Sequence, residues 1–101
     1  MDPVRIEHTA DTTHVVLEAA LGIADARALH EKLGTVLASA TSVVLDGSRV
    51  ERLDAAAMQL LAGFFRSARN RGLAISWQSP SPGIQQAAQL LGLESILEMK
   101  S

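Results

Sequence analysis

The chain contains no cysteine, which excludes a disulfide scaffold and a thiolate metal site and accords with a reducing compartment. Aromatic residues make up 3% of the chain, one Trp and two Phe, so there is little to stack on bases. With acids and bases interspersed to a net charge of -2, no basic footprint for a phosphate backbone exists and nucleic acid is not an expected partner. No segment approaches the roughly 20 consecutive apolar residues that a membrane helix requires. The opening Met1 to His8 lacks the basic-then-apolar pattern of an export signal. A soluble, cytoplasmic protein is the expectation. Gly-rich phosphate loops, internal repeats and low-complexity stretches are absent as well. The 101 residues suit a single domain over 1–101, with one modest core.

What is present is organised around Ser42 to Arg69. Val43, Val44 and Leu45 form a short apolar run that stops at Asp46-Gly47, as a buried strand does at its carboxyl end. A loop runs from Asp46 to Asp54. Beyond it Ala57, Leu60, Leu61, Phe64 and Ala68 recur at three-and-four spacing, the apolar stripe of an amphipathic helix. Asp54 stands at the N-cap position, where its carboxylate could accept from the first free amides and suit the positive end of the helix dipole. A strand end facing a helix start is where open α/β sheets usually place their sites.

The remaining elements follow in order. Val4 to His8 alternates apolar and polar, Thr9 to Thr13 is a turn, and His14 to Glu18 is a second strand that pairs back as a hairpin. Ala24 to Ala38 carries Ala26, Leu29, Leu33, Val36 and Leu37 at helical spacing, a covering helix. Arg71-Gly72 stops the central helix, and Leu73 to Trp77 is a further strand. Ser81 then caps a helix with Pro82 at its first position and Ile84, Ala87, Ala88 and Leu91 on its inner stripe, ending at Gly92 with Leu93 folding back. The order implies an α/β fold, a sheet covered by helices on at least one face.

These residues resemble the STAS domain, the family of sulphate-transporter tails and bacterial anti-sigma factor antagonists. The family pattern of two apolar residues and Asp-Leu-Ser, a short connection, then Asp-Ser-Ser-Gly-Leu or Asp-Thr-Gly-Gly-Leu is matched by Asp46-Gly47-Ser48 and Asp54-Ala55-Ala56-Ala57-Met58. Its closing helix is matched by Ser81-Pro82 and Leu91-Gly92-Leu93. The resemblance implies a mixed β-sheet with the helices largely on one face. In phosphorylated family members the hydroxyl residue after the second Asp takes phosphate from a partner kinase. That position is Ala55 here, followed by Ala56. The Gly-x-Leu-Asp signature that many relatives carry before the first helix keeps only Leu21, its Asp position being Gly22, so a polar group near the loop is expected to be missing too.

Other chemistry finds little support. Asp46 and Asp54 could be an acid/base pair, but a strand-end acid and a helix cap account for both without catalysis. Ser48, the loop's hydroxyl, has no His or Lys near it in sequence to act as a base and is expected to form a turn. His8, His14 and His30 lack the paired spacing of metal ligands, so no metal or cofactor is assigned. Trp77 could anchor a partner or sit partly in the core. A response-regulator receiver would need an acidic pair after its first strand and a Lys after its fifth, and this chain has neither. A binding surface remains. Opposite the core stripe the central helix shows Ala56, Gln59, Gly63, Arg66 and Asn70, small at its start and polar at its end. The resemblance implies docking by the loop and this helix, through Asp46, Ser48, Asp54, Ala55, Ala56, Gln59, Gly63 and Arg66. The expected partner is a protein: a kinase-fold anti-sigma factor, a transporter ATPase subunit, or a chemotaxis or two-component protein. A second class stays open, a lipid or small molecule held beneath the loop in a subunit of a phospholipid transport system.

Overall fold

The computed structural model describes residues 4–9, 11–39 and 42–98. Ala10, inside the expected first turn, and the opening Met1 to Pro3 lie outside them. In chain order come β1 (Val4–His8), β2 (Thr13–Leu17), β3 (Ala20–Leu21), a 3-10 turn (Ile23–Asp25), α1 (Ala26–Ser39), β4 (Ser42–Asp46), β5 (Arg52–Leu53), α2 (Ala55–Asn70), β6 (Ala74–Gln78) and α3 (Pro82–Leu91).

Four strands form a mixed sheet in the order β1-β2-β4-β6. β1 and β2 pair antiparallel, with β2 one residue earlier than expected because Thr13 pairs with His8 and is itself buried. β4 runs parallel to both β2 and β6. This register brings Ile6, Val15, Leu45 and Trp77 into one row and Thr13, Val43 and Ile75 into another. Period-2 alternation puts both rows on one face, which is buried at Val15, Val43 and Leu45, while Glu7, Ser76 and Gln78 on the opposite face are exposed. The helices therefore cover one side of the sheet.

Helix ends are set by local chemistry. Gly72 (φ 74°) and Gly92 (φ 68°) adopt the left-handed conformation that ends α2 and α3, and Leu73 and Leu93 each send an amide back five residues, to the carbonyls of Ala68 and Ala88, at 2.9 Å. Ser81 caps α3 as expected, its Oγ accepting from the Ile84 amide at 3.2 Å. α1 begins two residues later than expected because Ile23 to Asp25 form a tighter turn. Around α2 the core is wider than one stripe: Met58, Ala62 and Phe65 are buried beside Ala57, Leu61, Phe64 and Ala68, whereas Leu60 is only partly covered. α2 meets α1, β6 and α3, so more than one of its faces is enclosed. Each fully buried Leu, Met or Phe contributes on the order of 1.5–3 kcal/mol.

Candidate functional site

At the end of β4 the Asp46 carboxylate turns back on the loop it starts. Its Oδ1 accepts from the Ser48 amide at 3.0 Å and the Ser48 hydroxyl at 2.7 Å, an Asx turn that gives Ser48 the turn-forming role expected of it. The amide bond, then the hydroxyl bond, with smaller help from Arg49 and His14, holds Asp46 below the ordinary carboxylate range, and partial burial opposes this only in part. Between these residues Gly47 leaves no room for a side chain. A Cβ there would stand 2.6 Å from Ile84 Cδ1, 3.0 Å from Trp77 Cζ3 and 3.3 Å from Pro80 Cα. The space that a leucine would take in the pattern Asp-Leu-Ser is occupied by Trp77 and Ile84.

The loop is not free. Val50 is buried, its amide donating to the Gly47 carbonyl. The amides of Glu51 and Arg52 both donate to the Ala19 carbonyl, at 2.8 and 3.1 Å, and that of Asp54 donates to Leu21 at 2.9 Å. These bonds build a two-stranded parallel ribbon, β3 with β5, that periodicity could not announce because each strand has two residues. Arg49 Nη1 lies 3.5 Å from Glu18 Oε1, an ion pair by distance in which that oxygen is screened from solvent yet accepts no hydrogen bond. Half-exposed and poorly aligned, such a pair adds little.

Asp54 holds the N-cap position with extended backbone (φ -89°, ψ 162°), but its side chain makes no capping hydrogen bond. This corrects the expected carboxylate cap. Asp54 Oδ2 instead stands near Gly22, 3.6 Å from where a Cβ would be, and Asp25 Oδ2 stands 3.9 Å from the same point. Asp25 accepts from the Gly22 amide at 3.1 Å and its own amide donates to the Gly22 carbonyl at 3.0 Å. Residue 22 carries no acid, as its glycine requires, but the carboxylates of Asp25 and Asp54 both lie beside it. Ala20, Leu21, Gly22, Arg52, Leu53 and Asp54 line an open depression of about 320 Å³ here. Asp46 is engaged by Ser48 and Asp54 faces Gly22, so the two loop acids address different neighbours.

Along α2, Ala55 is exposed, Ala56 partly covered, Gln59 and Arg66 exposed, and Gly63 half-buried. Gln59 and Gly63 are brought together on an apolar groove of about 200 Å³ between α1 and α2, which His30, Leu33, Gly34 and Leu37 line from the other side and Leu60 and Phe64 floor. Open space surrounds the position of a Cβ at both Gly34 and Gly63. The α1 half of this groove escaped sequence reasoning, although a glycine in mid-helix at position 34 was a signal for it. His8 and His30 are exposed and His14 is half-buried, and among the described residues no group of three or more His, Asp or Glu is placed to hold a metal ion. No helix of the described residues is long and apolar enough to cross a membrane.

Comparison with known proteins agrees with this architecture. A structure of the Bacillus cell fate determinant SpoIIAA in its phosphorylated form superposes with a TM-score of 0.72 at 19% identity, covering 97% of this chain and 91% of that one. An anti-sigma factor antagonist from Mycobacterium paratuberculosis gives 0.77 at 22% identity, covering 95% and 82%. At identities this low the superpositions show a shared fold and no more. No protein of curated function matches the chain. The sequence model of the family described as "Mlab, STAS domain" matches residues 4–98. With nearly its whole length matched and the mixed sheet and three helices in place, the chain belongs to the STAS domain family.

Proposed function

We propose that the chain is a non-catalytic protein-interaction module, an anti-sigma factor antagonist-like regulator that docks a partner on the Asp46 to Asp54 loop and on α2 without serine phosphorylation at the usual place. The observation that carries this reading is the outward row of α2. Gly63 opens an apolar groove shared with α1, and Ala56 lies two turns before it on the same helix, a shape that admits a partner's side chains close to the backbone. The docking set is Asp46, Ser48, Asp54, Ala55, Ala56, Gln59, Gly63 and Arg66, joined by Asp25, His30 and Gly34 where the fold brings them alongside. Ala55 and Ala56 supply no hydroxyl. The Ser48 hydroxyl is held by Asp46, so phosphopeptide mapping after incubation with a kinase-fold partner should find no stoichiometric phosphate in this loop. The anti-sigma factor antagonists among its structural neighbours favour a kinase-fold anti-sigma factor as the partner over a transporter subunit. A bound lipid is the weaker reading, since the depression of about 320 Å³ at the loop and the groove of about 200 Å³ between α1 and α2 are both open, whereas small-molecule sites bury most of the ligand's surface.

Affinity capture with the intact chain, followed by calorimetry on the captured protein, tests the proposal. Gly63→Leu, which fills the groove, and Ala56→Arg, which crowds the row, should each weaken the partner at least tenfold, about 1.4 kcal/mol. Unchanged affinity in both variants, with the fold intact by circular dichroism, rejects this docking face.

A further inference from the structure

Trp77 does more than fill the core. Its indole stacks on Phe65 of α2 with ring centroids 5.6 Å apart, and its Nε1–H donates to the Leu97 carbonyl at 3.0 Å. Another edge of the same ring lies 3.0 Å from the point where Gly47 would carry a Cβ. Gly47 opens the loop, and its amide donates to the carbonyl of Gln78, the residue after Trp77, at 3.3 Å. One ring therefore touches the start of the docking loop and the C-terminal segment 93–98. That segment is fastened at further points. Arg69 donates to the Glu98 carboxylate at 2.8 and 2.9 Å and to the Ser95 carbonyl at 3.4 Å, and Leu93 and Leu97 are buried. Glu98 adopts φ 56°, a conformation uncommon for a residue with a Cβ, so the surrounding contacts hold the segment in place.

We infer that Trp77 is a positioning residue for the loop, and that through it the order of residues 93–98 and the shape of the Asp46 to Asp54 loop are coupled. The consequence for partner binding rests on the docking reading, but the coupling is a property of the free protein. Contiguous packed groups transmit such coupling when loosening one end loosens the other. The loop's backbone bonds run through Val50, Glu51, Arg52 and Asp54, so their amides report on its order.

Hydrogen exchange on the free, full-length chain is the test, read by mass spectrometry in peptides that cover the loop, residues 93–98 and α1. Trp77→Phe keeps a ring over Phe65 while removing the indole N–H and the edge beside Gly47. It should speed exchange at least tenfold in the loop and at Leu97, with α1 within twofold of the native chain. Leu97→Ala, or Leu97→Val should the first fail to fold, loosens the far end and should speed the loop by a similar factor, with α1 again within twofold of the native chain. Loop exchange within twofold of native in Trp77→Phe overturns the positioning role. Equal acceleration of loop and α1 reduces Trp77 to general core packing, and a Leu97 variant that frees only residues 93–98 overturns the coupling. Because no partner is present, a failure of the docking face leaves these outcomes readable.

Discussion

Exchange of glycine for alanine at three positions should move stability in opposite directions, and the surroundings decide the sign. At Gly47 the new methyl would meet Ile84 Cδ1 at 2.6 Å and Trp77 Cζ3 at 3.0 Å, with the Pro80 backbone at 3.3 Å. Ile84 is fully buried, and Trp77 is held by Phe65 and Leu97, so neither yields cheaply. Overpacking of this kind costs about 1–3 kcal/mol. Gly34 and Gly63 lie inside α1 and α2 with open space where a Cβ would stand. There the same substitution removes backbone freedom from the unfolded chain and should stabilise by about 0.5–1 kcal/mol each. The gap between Gly47→Ala and either helix variant is then about 1.5–4 kcal/mol. Urea denaturation at constant m-value measures it. A neutral or stabilising Gly47→Ala would refute the close approach at the end of β4, and a destabilising Gly34→Ala would refute the open groove. Gly63→Ala carries a second signature, since its methyl enters the groove proposed for docking and should weaken the partner while the fold gains.

Three shorter predictions follow from the same contacts. Ser81→Ala removes the oxygen that accepts from the Ile84 amide at a buried position and should cost about 1 kcal/mol in chemical denaturation; a loss within error would show the cap to be dispensable. Phe64, 3% exposed, should cost about 3–5 kcal/mol when truncated to Ala, because transfer and cavity terms add, and a loss below roughly 1 kcal/mol would place the ring outside the core. Asp46 has a folded-state pKa below its ordinary 3.8. Its bonds to Ser48 therefore stabilise the fold fully above that value and are lost as pH falls through the depressed folded value. The stability difference between the native chain and Asp46→Asn should close over that acidic window, and a difference independent of pH would show that the Ser48 bonds do not set it.

The sequence was legible where one residue's chemistry determines local geometry. Ser81 before Pro82, Gly92 before Leu93 and Gly72 after Arg71 each act within a few residues, and each sits as its chemistry requires. It was less legible where several elements converge. Met58, Ala62 and Phe65 are buried because α1, β6 and α3 surround α2, and a single stripe on a helical wheel cannot show neighbours on other sides. Asp54 has the residue type and position of a cap, yet its carboxylate stands beside Gly22. Only the β3–β5 ribbon, held by amides that donate to Ala19 and Leu21, explains how that part of the chain comes to lie against the loop. Trp77 joins Gly47 to Leu97 across 50 residues of sequence, a relation carried by no local pattern.

The last prediction bears on the docking face itself. Ala55 opens α2 and is exposed, and in the function proposed above it takes the place of the phosphorylated hydroxyl of relatives. Ala55→Asp puts an anion there. The fold should tolerate it, because the first turn of a helix favours negative charge by about 0.3–1 kcal/mol. Asp54 and Asp25 nearby work against that gain, so the net change in stability should stay within about 0.5 kcal/mol, as for most surface substitutions. Binding should respond differently. A carboxylate desolvated against a surface shaped around a methyl group has no counter-charge waiting, and a change of this kind at an interface typically shifts affinity by about 2–5 kcal/mol. Ala55→Ser adds only a hydroxyl and should be mild, while offering a phosphate acceptor if the partner retains kinase activity. Calorimetry against the captured partner, beside a thermal melt of each variant, separates the two effects. Unchanged affinity for Ala55→Asp on an intact fold would mean that the partner binds elsewhere, and the family's docking surface could not be transferred to this chain.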